Sequence, residues 1–146
     1  MKYMLIMRAT EEAIEASKEI DFNEIIAAMG AYNESLIKAG VLLAGEGLAD
    51  AKEGFVVDFD STPPVVTDGP YGETKELFNG FWIIQASSPE EAAEWAKRCP
   101  LGPGSKLEVR RVAELEEFPQ DNEWIQKEAV WREELAAKAE AEGKVG

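Results

Sequence analysis

Apolar residues along the chain change period several times, and the changes mark its elements. Tyr3 to Met7 is almost wholly apolar, so Lys2 to Met7 is predicted to be a strand set centrally in a sheet. Ala9 to Ile20 is rich in Glu and Ala and predicts a short exposed helix. Asp21 with Glu24 three residues on matches a capping box, opening a helix from Phe22 to Ala39. Phe22, Ile25, Ile26, Met29, Tyr32, Leu36 and Ile37 fall at helical spacing and predict its core face. Gly40 stands where a helix commonly ends on a left-handed residue. Val41 to Ala44 begins a second strand, continued irregularly by Gly45-Glu46-Gly47-Leu48. Two glycines there predict a bulge, or the close approach of another backbone or a ligand.

Phe55 to Phe59 and Pro64 to Thr67 predict a hairpin around Asp60-Ser61-Thr62-Pro63. Gly80 to Ala86 is the most apolar strand of the chain. Ser88-Pro89-Glu90-Glu91 supplies a cap, a first-turn proline and an acidic first turn, which together start a helix running to about Cys99. Ala92, Trp95 and Ala96 are its packing residues. Leu107 to Val112 is a final alternating strand with Glu108 and Arg110 on one face.

The order is therefore β-α-β, hairpin, β-α-β, an α+β chain of ferredoxin-like pattern with an inserted hairpin. Helices on one side of such a sheet leave the other face bare, and self-association into a homodimer is the simplest cover. Residues 119–142 predict one more helix, opened by Pro119 and ended by Gly143. Trp124, Ile125, Trp131 and Leu135 are its large apolar residues, expected to pack on the same subunit or its partner rather than to dock a different protein. The chain thus divides into a domain over residues 1–115 and a helical extension over 116–146.

Composition narrows the function classes. The 146 residues carry a formal net charge of −14, which opposes direct binding to nucleic acid or to an anionic membrane surface. No segment approaches the length of a membrane span, and the apolar run before Arg8 is too short for a signal peptide, so a cytoplasmic location is expected. Cys99 is the single cysteine, which rules out an internal disulfide and a thiolate metal cluster; its place at a helix end favours a small buried apolar role over a reactive thiol. The absence of histidine excludes imidazole acid–base chemistry, nucleophile triads that need His, and His-ligated zinc. Neither a phosphate-binding glycine loop nor a metal-ligand spacing is present, so no cofactor is called for.

The densest chemistry lies in Val65-Val66-Thr67-Asp68-Gly69-Pro70-Tyr71-Gly72-Glu73-Thr74-Lys75-Glu76. A β-branched strand end is broken by Asp68-Gly69-Pro70, because glycine admits positive φ and proline fixes its own φ and lacks an N–H. A carboxylate is thereby held at a strand end, followed by a phenol, further carboxylates, a hydroxyl and an ammonium. Two readings stay open: a site on a loop set by a rigid scaffold, or a solvated turn in which Asp68 satisfies its own backbone N–H groups. Glu46, between its glycines, is likewise either a group projecting into a cavity or a solvated side chain at a strand end.

That run, continued by Gly80-Phe81-Trp82-Ile83-Ile84, resembles the signature of DGPF-type proteins of the YCII-related family. Lys2 to Met7, Ala39 to Leu48 and Pro89 to Ala96 match further segments in the same order, so the resemblance covers about residues 1 to 115. Tyr71 stands where the family name has Phe, and the chain runs on past Val112 for longer than a typical member. The resemblance implies a ferredoxin-like fold paired into a dimeric α/β barrel. Relatives in the wider group carry a His–Asp pair thought to be catalytic, and a chain without histidine does not inherit that mechanism.

Two functions follow as expectations. The first is a small-molecule site walled by Asp68, Tyr71, Glu73, Lys75, Glu46 and Arg8, with Trp82 and Tyr3 as apolar lining. Its chemistry would be cofactor-independent proton transfer of lyase or isomerase kind, with Asp68 as general base and Lys75 or Arg8 stabilising a developing enolate. The second is an interaction or regulatory module without chemistry. The resemblance implies a sigma-factor link for that reading, since DGPF-type domains also occur in proteins associated with alternative sigma factors.

Overall fold

A computed structural model describes residues 1–69 and 75–143. Six strands and four helices follow in the order β1 Lys2–Ala9, α1 Glu11–Ser17, α2 Phe22–Lys38, β2 Leu42–Gly47, β3 Phe55–Asp58, β4 Val65–Asp68, β5 Leu77–Gln85, α3 Pro89–Lys97, β6 Ser105–Arg111 and α4 Glu123–Ala141. Four strands form one antiparallel sheet in the order β2-β5-β1-β6, while β3 and β4 pair only with each other. With the hairpin set aside, this is the α+β, ferredoxin-like order expected from the pattern. The two most apolar strands, β1 and β5, lie side by side at its centre.

Register divides the sheet residues between two faces. Tyr3 opposes Ile84 and Leu5 opposes Trp82. These four side chains are buried together with Tyr32 and Leu36 of α2 and Ala92 of α3. Leu107 and Val109 of β6 and Val41 and Leu42 at the start of β2 pack against that cluster. Trp82 meets Tyr32 edge-on, with ring centroids 5.4 Å apart. Its indole N–H donates to Asn33 Oδ1 at 2.8 Å, and the Tyr32 hydroxyl donates to the Trp95 carbonyl at 2.9 Å. Each polar atom taken under the helices is thus hydrogen-bonded.

The alternate residues occupy the opposite face. Met4 opposes Ile83 and Ile6 opposes Phe81, and all four are only half-buried. Ala44 and Glu46 flank them on β2, and Arg110 and Glu108 flank them on β6. This open face is apolar at the centre and charged along both edges.

Local chemistry accounts for most boundaries. Thr10, Asp21, Ser88 and Asn122 each accept a backbone N–H at a helix N-terminus. Asp21 caps through Asn23 N–H at 2.9 Å, and among the described residues no return bond from Glu24 completes the expected box. Gly40 has φ +72°, and the bonds Gly40 N–H to Ile37 O and Val41 N–H to Leu36 O close α2 as glycine at that position allows. The last helix starts at Glu123 rather than Pro119, because residues 119–122 form a turn and Asn122 captures Trp124 N–H.

The predicted core face of α2 is only partly inside. Tyr32 and Leu36 are buried, whereas Phe22, Ile26 and Ile37 are 70%, 52% and 62% exposed. The buried residues lie in the second half of the helix and the exposed ones toward its two ends, so helical period alone overstates burial there.

The glycine pair in β2 is not itself the bulge that was expected there. A bulge lies between Leu42 and Ala44, and a Cβ on Gly45 would stand 3.1 Å from Trp82 Cδ1. The close neighbour is a core side chain.

Residues group into two compact units, Met1–Arg111 and a second from Val112 onward. In the second, the Trp124 and Trp131 rings lie 6.4 Å apart on α4, and Lys127 Nζ sits 4.3 Å from the Trp124 ring. Among the described residues, no helix is long and apolar enough to cross a membrane.

Candidate functional site

The segment that follows β4 returns to the main sheet at Glu76, and the fold fixes that return with charge. Arg8 ends the apolar run of β1 on the open face, beside Glu108 of β6. Its guanidinium reaches Glu108 Oε1 at 2.8 Å through one nitrogen and Glu76 Oε2 at 2.6 Å through another. Lys106 Nζ reaches the other Glu76 oxygen at 2.7 Å. Glu76 Oε2 is buried and makes no well-aligned hydrogen bond, so the short ion pair with Arg8 is what compensates its charge. Hydrogen bonding from Lys106, reinforced by Arg8, holds the Glu76 carboxyl below the usual range, and Glu76 and Glu108 push the Arg8 guanidinium upward.

A bulge marks the same place. Met7 pairs with Gly80 and Arg8 with Phe78, leaving Asn79 as the extra residue of β5. Its carbonyl accepts Leu48 N–H at 2.8 Å, so the bulge also holds the end of β2. Bulges bend a strand and re-aim its side chains. Here the bend falls where the loop joins the sheet.

Among the candidate residues, Asp68 closes β4 directly opposite Phe55 and is exposed. Gly69 follows at φ +73° and donates its N–H to the Gly54 carbonyl at 2.8 Å, the turn geometry expected of that glycine. Tyr71 and Glu73 lie outside the described residues. Lys75 is exposed, one residue before the Glu76 anchor.

Glu46 stands on the open face across from Phe81 and is exposed. Arg8 shares that face at the β6 side, already engaged by two carboxylates. Trp82 and Tyr3 are buried on the helix side of the sheet. One sheet face therefore joins Arg8 and Glu46, and Trp82 supports it from beneath. Asp68 belongs to the separate hairpin.

The anchoring role of Glu76 and the part of Lys106 were not read from the sequence. The available signal was Arg8 itself, since a guanidinium at the end of an apolar strand calls for a carboxylate neighbour. No group of three or more acidic, thiol or imidazole side chains suited to a metal ion occurs among the described residues.

A family model for the YCII-related domain matches residues 1–116. The chain belongs to the YCII-related family. An uncharacterized protein from Rhizobium meliloti is 25% identical over 97 residues, covering 66% of the YCII-related chain and 78% of the relative. A solved structure that matches is 5-chloro-2-hydroxyhydroquinone dehydrochlorinase from Burkholderia phenoliruptrix AC1100, in complex with 2,5-dihydroxybenzoquinone. It is 16% identical with a TM-score of 0.44, covering 77% of this chain and 94% of that one.

Proposed function

We propose that this YCII-related protein is a homodimer joined through the open sheet face, with a small-molecule site at the Asp68 loop. The observation that supports the reading is the half-buried apolar row of Met4, Ile6, Phe81 and Ile83 on the sheet face away from the core cluster, bordered by the Arg8–Glu76 anchor where that loop enters the sheet. An apolar centre with charged edges suits a ligand that has an unsaturated or aromatic body and a polar substituent.

The chemistry proposed there is cofactor-independent proton transfer, as in a lyase or isomerase. Asp68 acts as general base on an activated C–H, and Lys75 stabilises the enolate that forms. Tyr71, Glu73 and Glu46 contribute polar contacts, and Arg8 orients the loop through Glu76. Arg8 ranks behind Lys75 as the stabilising cation because two carboxylates already engage it.

The test is a thermal-shift screen of small carbonyl and phenolic compounds on wild type, Asp68→Asn and Asp68→Ala. Asp68→Asn is expected to keep the wild-type Tm and lose the ligand-induced shift, and turnover should drop by about 10²–10⁴-fold where a reaction is found. An Asn variant that responds like wild type to every hit removes Asp68 from the site. A loss of Tm confined to Asp68→Ala would then mark Asp68 as a turn residue of a non-enzymatic interaction module.

A further inference from the structure

The β3–β4 hairpin leaves its large apolar side chains with little cover. Cross-strand register puts Phe55 with Asp68 and Val57 with Val66 on one of its faces. Phe55, Val57 and Val66 are 67%, 40% and 60% exposed, and Phe59 near the tip is 78% exposed. The hairpin is a sheet of its own, without ladder bonds to the other four strands. A two-stranded ribbon with bare apolar residues is marginal in water and calls for a surface to lie on.

Charge narrows the choice of surface. No Lys or Arg occurs between Lys52 and Lys75, and the hairpin strands and tip carry Asp58, Asp60 and Asp68. The β6 edge of the open face carries Arg8, Lys106 and Arg110 against Glu76 and Glu108, three cations to two anions in a chain of net charge −14. Arg110 reaches Glu108 only at 3.8 Å and leaves most of its side chain in solvent. The hairpin face, apolar with Asp68 at its end, thus matches an apolar and locally cationic face of the same chain. In one chain the hairpin face stays exposed, and a two-fold pair would let each copy offer both surfaces.

We propose that the hairpin is an intersubunit arm: its Phe55, Val57, Val66 and Asp68 face lies on the β6 side of a second copy's open sheet face, so that each Asp68 serves its partner's site. This rests on the homodimer proposed above and adds that the site is incomplete in one chain. The arm brings Asp68, exposed on the separate hairpin, to the charged edge of that face.

The experiment uses the full-length chain in a Cys99→Ala background. Protein bearing Asp68→Cys is mixed with protein bearing Arg110→Cys and treated with a short bis-maleimide. A covalent heterodimer is expected in clear excess over either homodimer. Sedimentation of Val66→Glu in the native background should show the dimer weakened by roughly tenfold or more, as for an interface anchor, with the far-UV spectrum unchanged. If Val66→Glu fails to fold, the cross-link alone decides. A wild-type dimer that gives no cross-link overturns the arm and leaves the homodimer standing. A wild type that sediments as a 16.1 kDa monomer at every concentration overturns both.

Discussion

Arg8 and Glu76 meet at 2.6 Å, joining the end of the first strand to the point where the Asp68 loop re-enters the sheet. This pair, with Lys106, ties Glu76, at the end of a chemically rich stretch, to the main sheet. Its carboxylate has a depressed folded-state pKa, so its stabilisation is present above the unfolded value near 4.5 and is lost as pH falls through the lower folded value. The wild type should therefore lose Tm steadily as pH drops below about 4.5, and Glu76→Gln should flatten that part of the profile. At neutral pH the Gln variant should have the lower Tm. Thermal melts from pH 3 to pH 7 check the prediction, and identical profiles would deny Glu76 an anchoring role.

Gly80 is predicted to be intolerant of any side chain. A Cβ there would lie 2.8 Å from the Glu46 carbonyl oxygen and 3.2 Å from Gly47 Cα. Both are backbone atoms of the neighbouring strand, so relief requires β2 and β5 to part. Gly80→Ala is expected to cost about 1–3 kcal/mol in urea unfolding, as overpacking in a close-packed interior does. An Ala variant as stable as wild type would mean that the strands separate freely at this bulge.

Cys99 is predicted to be inert in the folded protein. Burial pushes its thiol up to about 12, and it packs against the main core cluster. Reaction with a thiol-exchange reagent near pH 8 needs the thiolate, so it should be far slower for native protein than for protein in denaturant. Equal rates would show that the end of α3 opens readily.

The strands were legible because their signals are local. An unbroken apolar run placed β1 and β5 at the centre, and alternation assigned Glu108 and Arg110 to a common face. Helix caps at Asp21 and Ser88 and the turn at Gly40 rest on single residues with one strong preference, and the structure has them. The core face of α2 was legible only in part, because periodicity reports which residues share a side and not how much of the helix the core covers. That is why Phe22 and Ile26 are exposed while Tyr32 and Leu36 are buried.

The Glu76 anchor was hidden for a different reason. Its partners Arg8 and Lys106 lie 68 and 30 residues away, and only strand register brings them together. Trp82 shows the same limit: its place beside Gly80 and Phe81 in the motif does not reveal that it points under the helices while Phe81 points away.

The last prediction concerns α4. Trp124 and Trp131 contact each other and remain 60% and 47% exposed, with Leu135 64% exposed one turn on. Two indoles and a leucine on a charged helix are a large apolar area to leave in water. We expect this stretch to be covered by the rest of the domain or by a second subunit. Burial of a Trp side chain is worth about 3–5 kcal/mol when it is complete, and partial cover gives a fraction of that. The double variant Trp124→Ala, Trp131→Ala should therefore lower Tm if the cover lies within one subunit. It should instead weaken the dimer, with a concentration-dependent loss of Tm, if the cover is a second copy. Melts at two protein concentrations a hundredfold apart separate the cases. A variant unchanged in Tm and in dimer affinity would leave α4 as an appendage that contributes nothing to the fold of residues 1–111.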